Sequence, residues 1–272
     1  MEIKKLAIFG VGFMGGSLGL AFKKFFPEVE VLGLGRNKEK LKTAETLGII
    51  DRAVEFPPSD TDILILAIPV RSIPEILKSL LPHLSPATLI TDVGSTKSWL
   101  VECINRFIPS SHTFIGSHPF CGSEKQGMEA SNPEIFPGSL CFITPEGKES
   151  VENIDFLKKF WESLGMKVIS ISPQEHDHIV AYTSHLPHFV AFTLANTLPA
   201  RFSSLVGKGF LDTTRIARGG VEIWKDIFLT NKEELLKAIE TFEIEWKEFK
   251  KRLKEEKNID DLLHKARSKL KL

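Results

Sequence analysis

Hydrophobic positions along the chain alternate between short apolar runs and stretches with helical spacing. Residues 63–68 are continuously apolar, which is typical of a parallel strand buried on both faces. Strands are predicted at residues 6–9, 29–34, 63–68, 88–92, 114–116, 140–144 and 167–170, and helices at 14–25, 38–47, 74–81, 97–106 and 151–164. This alternation indicates an α/β fold with a doubly wound sheet, whose ligands bind at the carboxyl ends of the strands.

A glycine-rich turn separates the first predicted strand from the first predicted helix. Gly10, Gly12 and Gly15 have the spacing Gly-x-Gly-x-x-Gly. In dinucleotide-binding domains the first glycine allows the tight turn, the second leaves room for the pyrophosphate, and the third permits close packing of helix on strand. The N–H groups that open the helix, at Phe13 and Met14, are candidates to bind the phosphates. The motif predicts a Rossmann-type domain.

The strand pattern stops at Ser172-Pro173, and from residue 175 onward the chain has helical patterns only. A last amphipathic helix is predicted at residues 232–256. We therefore expect a Rossmann-type, doubly wound N-terminal domain at residues 1–172 and an all-α C-terminal domain at residues 173–272.

The residues that follow the second predicted strand influence the choice of cofactor. NAD-binding domains usually carry an Asp or Glu there, which bonds the ribose 2′-hydroxyl. This chain has Arg36 and Asn37 instead. A guanidinium is suited to a 2′-phosphate, so NADP is favoured over NAD. The alternative is that Arg36 stacks on the adenine or faces solvent, in which case NAD is acceptable.

Charge and cysteine content narrow the class of protein. The 35 Lys and Arg residues balance 35 Asp and Glu residues, which gives no net field toward nucleic acid or anionic membranes. No apolar run approaches the roughly 20 residues of a membrane helix. Cys103, Cys121 and Cys141 are too widely spaced for a zinc knuckle and odd in number. A reducing cytoplasm is the expected location.

Two polar segments come directly after predicted strands, where a doubly wound enzyme keeps its site. The first contains Ser95, which either caps the following helix or places its hydroxyl near the nicotinamide and the substrate. The second contains His118, whose ring can accept a proton from a substrate alcohol during hydride loss. A purely structural histidine is the alternative.

The helical half also contains candidate binding groups. His185 and His188 are three residues apart and so share one helix face, but apart from Asp177 no side chain completes a ligand set, and we expect no metal site. Arg215 offers a forked donor suited to a carboxylate, or it pairs with Asp212 inside the domain.

Together these segments resemble the prephenate and arogenate dehydrogenases of tyrosine biosynthesis. The resemblance runs from the glycine turn to Trp224. Its specific motifs are Asp92-Val-x-Ser95-x-Lys97, His118-Pro-x-x-Gly-Ser123-Glu124, Ser184-His185-Leu-Pro-His188 and Asp212-x-Thr-Arg215-Ile-Ala. Cys121 stands where this family usually carries Ala.

The resemblance implies an oxidative decarboxylation. A cyclohexadienol carbon passes hydride to the nicotinamide, and the ring carboxylate leaves as CO2. His118 would act as base toward the ring hydroxyl and must be neutral, which burial beside the Arg215 cation would favour. Ser95 would orient the hydroxyl and the nicotinamide.

The same resemblance implies the substrate groups and the assembly. Arg215 would bind a substrate carboxylate, and His188 and His185 would line that pocket. Ser123 and Glu124 would form its gate or support it. The helical domain would form a homodimer, which would cover the apolar stretch 186–198.

Three questions stay open at this point. The substrate is prephenate or arogenate, with prephenate favoured by the pair His185 and His188. One rival is a two-domain 3-hydroxyacid dehydrogenase, although that class places a catalytic Lys where this chain has histidines. The other rival is a nucleotide-sensing module without turnover, against which Ser95, His118 and Arg215 argue.

Overall fold

The computed structural model describes residues 3–121 and 127–270. Six parallel strands form one sheet in the order β3-β2-β1-β4-β5-β6. The strands are β1 (Lys5–Phe9), β2 (Glu30–Leu34), β3 (Arg52–Ala53), β4 (Ile63–Leu66), β5 (Leu89–Asp92) and β6 (Thr113–Phe114). The strand order reverses between β1 and β4, and this reversal creates the crevice in which doubly wound sheets bind ligands.

Helices cover both faces of the sheet, as its apolar strands require. The helices of this domain are α1 (Phe13–Phe25), α2 (Lys38–Thr46), α3 (Ile73–Leu80), α4 (Ser98–Asn105) and α5 (Val151–Ser163). Phe22 of α1 stacks on Phe160 of α5 in one core layer. Leu77 of α3 and Leu100 of α4 are fully buried in the other layer.

The last predicted strands form a separate sheet instead of extending the first. Its strands are β7 (Gly116–Phe120), β8 (Leu140–Thr144) and β9 (Lys167–Ser170), with β7 antiparallel to β8 and β8 parallel to β9. The strand predicted at 114–116 is divided, because Ile115 still donates to the Ile90 carbonyl of the first sheet while Gly116 already pairs with Thr144. The chain therefore changes sheets at Ile115, and this places His118 in the second sheet.

Between residues 173 and 270 the structure contains helices and no strand, and the Ser172 side chain accepts from the Glu175 amide and caps the first helix. The α-helices are α6 (Pro173–Val180), α7 (Leu186–Asn196), α8 (Lys208–Thr214), α9 (Val221–Thr230), α10 (Lys232–Glu255) and α11 (Ile259–Lys269). The final amphipathic prediction, 232–256, agrees with α10 to within a residue. A π-helical turn, Ala181–His185, joins α6 to α7. Pro187 has no N–H to donate to the preceding turn, which accounts for the irregularity there.

None of the helices within these described ranges has the length and apolar composition needed to cross a membrane.

Candidate active site

The glycine motif between β1 and the start of α1 leaves open space beside one of its three glycines. Gly10 has a φ of 99°, and a Cβ there would lie 2.5 Å from the Ala67 carbonyl oxygen. A Cβ on Gly15 would lie 2.1 Å from the Gly10 carbonyl oxygen, so α1 can approach the turn only with glycine at this position. A Cβ on Gly12, by contrast, would meet nothing within 4 Å. The space at Gly12 fits a pyrophosphate.

The start of α1 supplies the donors for such a phosphate. Its first internal hydrogen bond runs from the Gly16 amide to the Gly12 carbonyl, 2.7 Å. The amides of Phe13 and Met14 come before this bond, no side chain of the described residues caps the helix, and its first turn contains no acid. These amides lie at the positive end of the helix dipole, which attracts anions.

At the other end of the nucleotide crevice, Arg36 is exposed in the turn after β2. Asn37 has a structural task, because its Oδ1 accepts from the Lys40 amide at 3.0 Å and caps α2. A contact between the Arg36 guanidinium and the adenosine end of a cofactor stays a prediction.

A buried ion pair organises the loop that follows β5. Nζ of Lys97 donates to Oδ2 of Asp92 and, at 2.8 Å, to the Ser117 carbonyl oxygen. Oδ1 of Asp92 accepts from the Ser117 amide at 3.2 Å, and Oδ2 accepts from the Gly94 amide at 2.7 Å. Burial raises the pKa of the Asp92 carboxyl, while Lys97 and the two amides oppose that rise. The pair ties the β5–α4 loop to β7.

His118 lies on β7 opposite Phe142 and is buried. Its Nδ1 lies 2.8 Å from Nε2 of His176, and Nδ1 of His176 lies 2.8 Å from Oδ1 of Asp177. Burial lowers the pKa of His118 well below its usual value, and the charges of His176 and Lys97 act in the same direction. His118 is therefore neutral at neutral pH, the state that a proton acceptor requires.

Asp177 joins the helical domain to the β5–α4 loop. Its carboxylate accepts from the amides of Lys97 at 2.8 Å and Ser98 at 2.9 Å, which are the N-cap and the first residue of α4. Burial alone would raise the pKa of Asp177, but the hydrogen bonds from His176 and these amides hold it below its usual value. Because Asp177 caps α4, capping is not the role of Ser95, which lies half-buried in the loop.

His185 is a buried, neutral donor. Nδ2 of Asn231 donates to the Asp177 carbonyl oxygen at 2.8 Å and lies 3.1 Å from Nδ1 of His185. An amide N–H aimed at Nδ1 makes that nitrogen the acceptor and leaves the proton on Nε2. Within the described part of the chain, Nε2 of His185 is buried with no hydrogen-bond partner. Burial lowers the pKa of His185 to about 4.

His188 lies within the field of the Arg215 charge. Nδ1 of His188 donates to the Ser184 carbonyl at 2.8 Å, and the ring stacks on Trp224 with 3.6 Å between centroids. Burial lowers the pKa of His188, and the Arg215 charge adds to this. Arg215 is exposed, in the turn Arg215–Arg218 after α8. We expected the Arg215 cation to keep His118 neutral. This expectation is corrected in one respect, because the cation that lowers the pKa of His118 is Lys97.

Two predicted site residues, Ser123 and Glu124, lie outside the described residues. In residues 3–121 and 127–270, no group of three or more His, Cys, Asp or Glu side chains is arranged to hold a metal ion.

Sequence reasoning gave no role to His176 or Asn231 and weighed Asp177 only as a metal ligand. His176 and Asp177 had a usable signal, because they stand next to one another in a helix rich in histidine. Asn231 had none, since its partners lie 46 and 54 residues away.

Fold and site together define a two-domain dehydrogenase that uses a nicotinamide dinucleotide. It combines a glycine loop that follows β1 with a buried, neutral histidine on β7, whose hydrogen-bond partner His176 belongs to the helical domain. The chain belongs to the prephenate dehydrogenase family. Residues 18–170 match its model for the prephenate dehydrogenase nucleotide-binding domain, and residues 172–267 match its model for the dimerization domain.

Individual relatives agree with this assignment. The chain is 37% identical to a prephenate dehydrogenase of Lactococcus lactis, over 88% of this chain and 68% of the relative. It is 34% identical to that of Bacillus subtilis, over 84% of this chain and 64% of the relative. The crystal structure of A. aeolicus prephenate dehydrogenase in complex with hydroxyphenyl propionate and NAD+ is 34% identical, with a TM-score of 0.91 over 99% of this chain and 98% of that one.

The rival class of 3-hydroxyacid dehydrogenases shares the fold alone. A (S)-3-hydroxybutyryl-CoA dehydrogenase from Ralstonia eutropha has a TM-score of 0.57 at 15% identity, over 86% of this chain and 89% of that one.

Proposed function

We propose that this protein catalyses the oxidative decarboxylation of prephenate with a nicotinamide dinucleotide, as a step of tyrosine biosynthesis. The C4 hydride of the cyclohexadienol goes to the nicotinamide, the hydroxyl proton goes to a base, and the ring carboxylate leaves as CO2. The observation that carries this proposal is the buried, neutral His118, which lies on β7 just past the carboxyl end of β6. Aromatisation supplies the driving force, so the protein's task is to bind, orient and deprotonate.

His118 is the base in this proposal. It touches the ring hydroxyl through Nε2, because Nδ1 is engaged with His176. Ser95, half-buried in the loop after β5, orients the hydroxyl and the nicotinamide. His118→Asn should lower kcat by roughly 10²–10⁴-fold, as expected for loss of an acid–base group, and leave KM nearly unchanged.

The direct assay is the absorbance of reduced nicotinamide after mixing enzyme, oxidised cofactor and prephenate. Turnover supports the proposal, and a His118→Asn variant with full activity would remove His118 as the base. Binding of prephenate without any reduction of cofactor would favour a sensing module instead.

The substrate carboxylates meet the helical domain. Arg215 binds one of them as a forked cation, and His188 beside it contributes to the same pocket. His185 adds a neutral donor, because its buried Nε2–H has no partner among the described residues. Ser123 and Glu124 are proposed to gate or support this pocket. A parallel assay with arogenate distinguishes the pyruvyl from the alanyl side chain, and we expect prephenate to be preferred.

The cofactor is held by the glycine loop, whose open space at Gly12 and free amides at Phe13 and Met14 suit a pyrophosphate. When bound, the nicotinamide accepts the hydride. We extend the proposal to a preference for NADP, because Arg36 is exposed where an NAD enzyme usually has an acid. A higher kcat/KM with NADP supports the preference, whereas equal values or a higher value with NAD contradicts it.

The helical domain is proposed to form a homodimer. Helix α7 is largely apolar, yet Ala191 is its one fully buried residue in the protomer. Trp246 and Leu253 on α10 are also exposed, at 62% and 68%. We propose that residues 1–172 bind the dinucleotide in a cytoplasmic enzyme, and that residues 173–272 supply substrate contacts and the dimer interface. A monomer by light scattering at micromolar concentration would contradict the dimer.

A further inference from the structure

The hydrogen bonds behind His118 determine which of its ring nitrogens carries the proton. Asp177 is held ionised by His176 and by two backbone amides, so its carboxylate can only accept. Nδ1 of His176 must therefore donate to Asp177. In a neutral His176 the other nitrogen, Nε2, is then bare and accepts from Nδ1 of His118 at 2.8 Å. Nε2 of His118 is left with its lone pair.

We propose that His176 and Asp177 are positioning residues that hold His118 in the Nδ1–H tautomer, with Nε2 available to take the substrate hydroxyl proton. The inference rests on the proposed function, since it assigns His118 the task of a base. In the opposite tautomer Nε2 would already carry a proton and could not accept another. A carboxylate behind a histidine performs this service in hydrolytic triads.

The same chain can also accommodate the charge that the reaction creates. As the substrate O–H bond breaks, an N–H bond forms at Nε2 of His118. The Nδ1 proton of His118 can then cross the 2.8 Å hydrogen bond to Nε2 of His176. The substrate has lost one proton, the pair of histidines has gained one, and the positive charge lies next to the Asp177 carboxylate.

Aromatic rings hold the two imidazoles in this arrangement. Phe142 meets the His176 ring edge-on at 5.3 Å, and Phe120 meets the His118 ring edge-on at 5.4 Å. His176 is fully buried. Among residues 3–121 and 127–270, the charged or titratable groups that act on the pair besides Asp177 are Lys97, Asp92 and His185.

Two substitutions at His176 separate positioning from mere packing. His176→Gln places an amide oxygen close to the position of Nε2, so it still accepts from His118 but cannot take a proton. His176→Phe fills the space and accepts nothing. Both remove the bond to Asp177, so they are matched in that respect. We expect kcat to fall about 10-fold in the Gln variant and about 100-fold or more in the Phe variant, with KM for prephenate nearly unchanged.

Thr230→Val is the control for loss of a buried polar contact between the domains. It removes a 2.8 Å hydrogen bond to Thr96 without touching either histidine, and it should lower Tm while kcat stays close to wild type. Equal kcat in the two His176 variants, or a loss that follows Tm across all three proteins, would overturn the positioning role.

A second measurement requires no His176 variant and no turnover. In the resting enzyme labelled with 15N-histidine, the ring shifts of His118, assigned through His118→Asn, should show Nδ1 protonated and Nε2 bare. The reverse tautomer overturns the inference even if the enzyme is active. An inactive wild-type protein with the expected tautomer would instead refute the proposed function, and the positioning of His118 would stand.

Discussion

Replacing Lys97 by Met removes the cation from a buried ion pair and leaves the Asp92 carboxylate without its partner. Both side chains are completely buried. Removing one member of such a pair costs about 3–5 kcal/mol, because an uncompensated charge stays in the interior. In a chain of this size 1 kcal/mol corresponds to roughly 3 °C in Tm. We therefore expect Tm to fall by about 10 °C, measured by circular dichroism at pH 7.

The matched control is the double variant Lys97→Met with Asp92→Asn. It removes both charges, and the side-chain oxygen of the new asparagine can still accept a hydrogen bond from one of the two amides that donate to Asp92. Because no unpaired charge remains, the double variant should recover at least half of the lost Tm. A single variant as stable as wild type, or a double variant less stable than the single one, would refute the ion-pair argument.

The same substitution has a catalytic signature of predictable sign. The Lys97 cation contributes to the lowered pKa of His118, so its removal must raise that pKa. The acid limb of the kcat/KM profile reports the free enzyme's base and should move to higher pH in Lys97→Met. Assays run well below the lowered Tm separate this shift from unfolding. An unmoved limb would show that Lys97 acts through packing alone.

Three further predictions concern His185 and the two arginines that are proposed to bind substrate and cofactor, Arg215 and Arg36. Burial lowers the pKa of His185 from 6.5 to about 4, so as pH falls below 6.5 this histidine is protonated in the unfolded chain before it is protonated in the folded protein. The free energy of unfolding should therefore drop by about 3 kcal/mol between pH 6.5 and 4. In urea titrations His185→Phe should flatten this dependence of stability on pH. Arg215→Ala should raise KM for prephenate by at least about 10-fold with a smaller change in kcat, and an unchanged KM would exclude a carboxylate contact. Arg36→Asp should reverse the cofactor ratio toward NAD in steady-state assays, whereas an unaltered ratio would mean that Arg36 only faces solvent.

Strands β1, β2, β4 and β5 of the first sheet could be predicted because each is encoded locally, whereas the exposed two-residue strand β3, Arg52–Ala53, was not predicted. Residues 63–66 are apolar on both faces, and the turn at Gly10 has one steric solution. The second sheet could not be predicted in this way. Its pairing of His118 with Phe142 joins runs 24 positions apart, and the short apolar pair Phe114-Ile115 gives no sign that the chain changes sheet there. Strand existence is a local property, whereas the choice of partner is decided by the whole fold.

In the candidate site, too, the features encoded locally could be predicted and those that depend on the whole fold could not. His118 could be predicted because it follows a strand at the ligand edge, where its chemistry has a use. The groups that determine its protonation could not, since they depend on contacts across the domain boundary. Asp177 is 80 positions from Lys97, whose amide it binds. A pattern of residue types indicates which groups are present and says little about which nitrogen of a ring carries a proton.

The boundary between the two domains is polar at its centre, and this has a consequence for catalysis. Thr96 meets Thr230, Asp177 meets the start of α4, and Asn231 meets the Asp177 carbonyl, all through buried hydrogen bonds. An apolar seam of equal area would hold the domains together but would tolerate sliding, whereas buried polar groups must keep their partners or lose about 1–3 kcal/mol each. The contacts of Asp177 and Asn231 therefore set the register of the helical domain against the β5–α4 loop, and the bond between Thr96 and Thr230 adds stability. Since Asp177 belongs to this seam and also orients His176, the register of the domains and the tautomer of His118 are fixed by the same carboxylate.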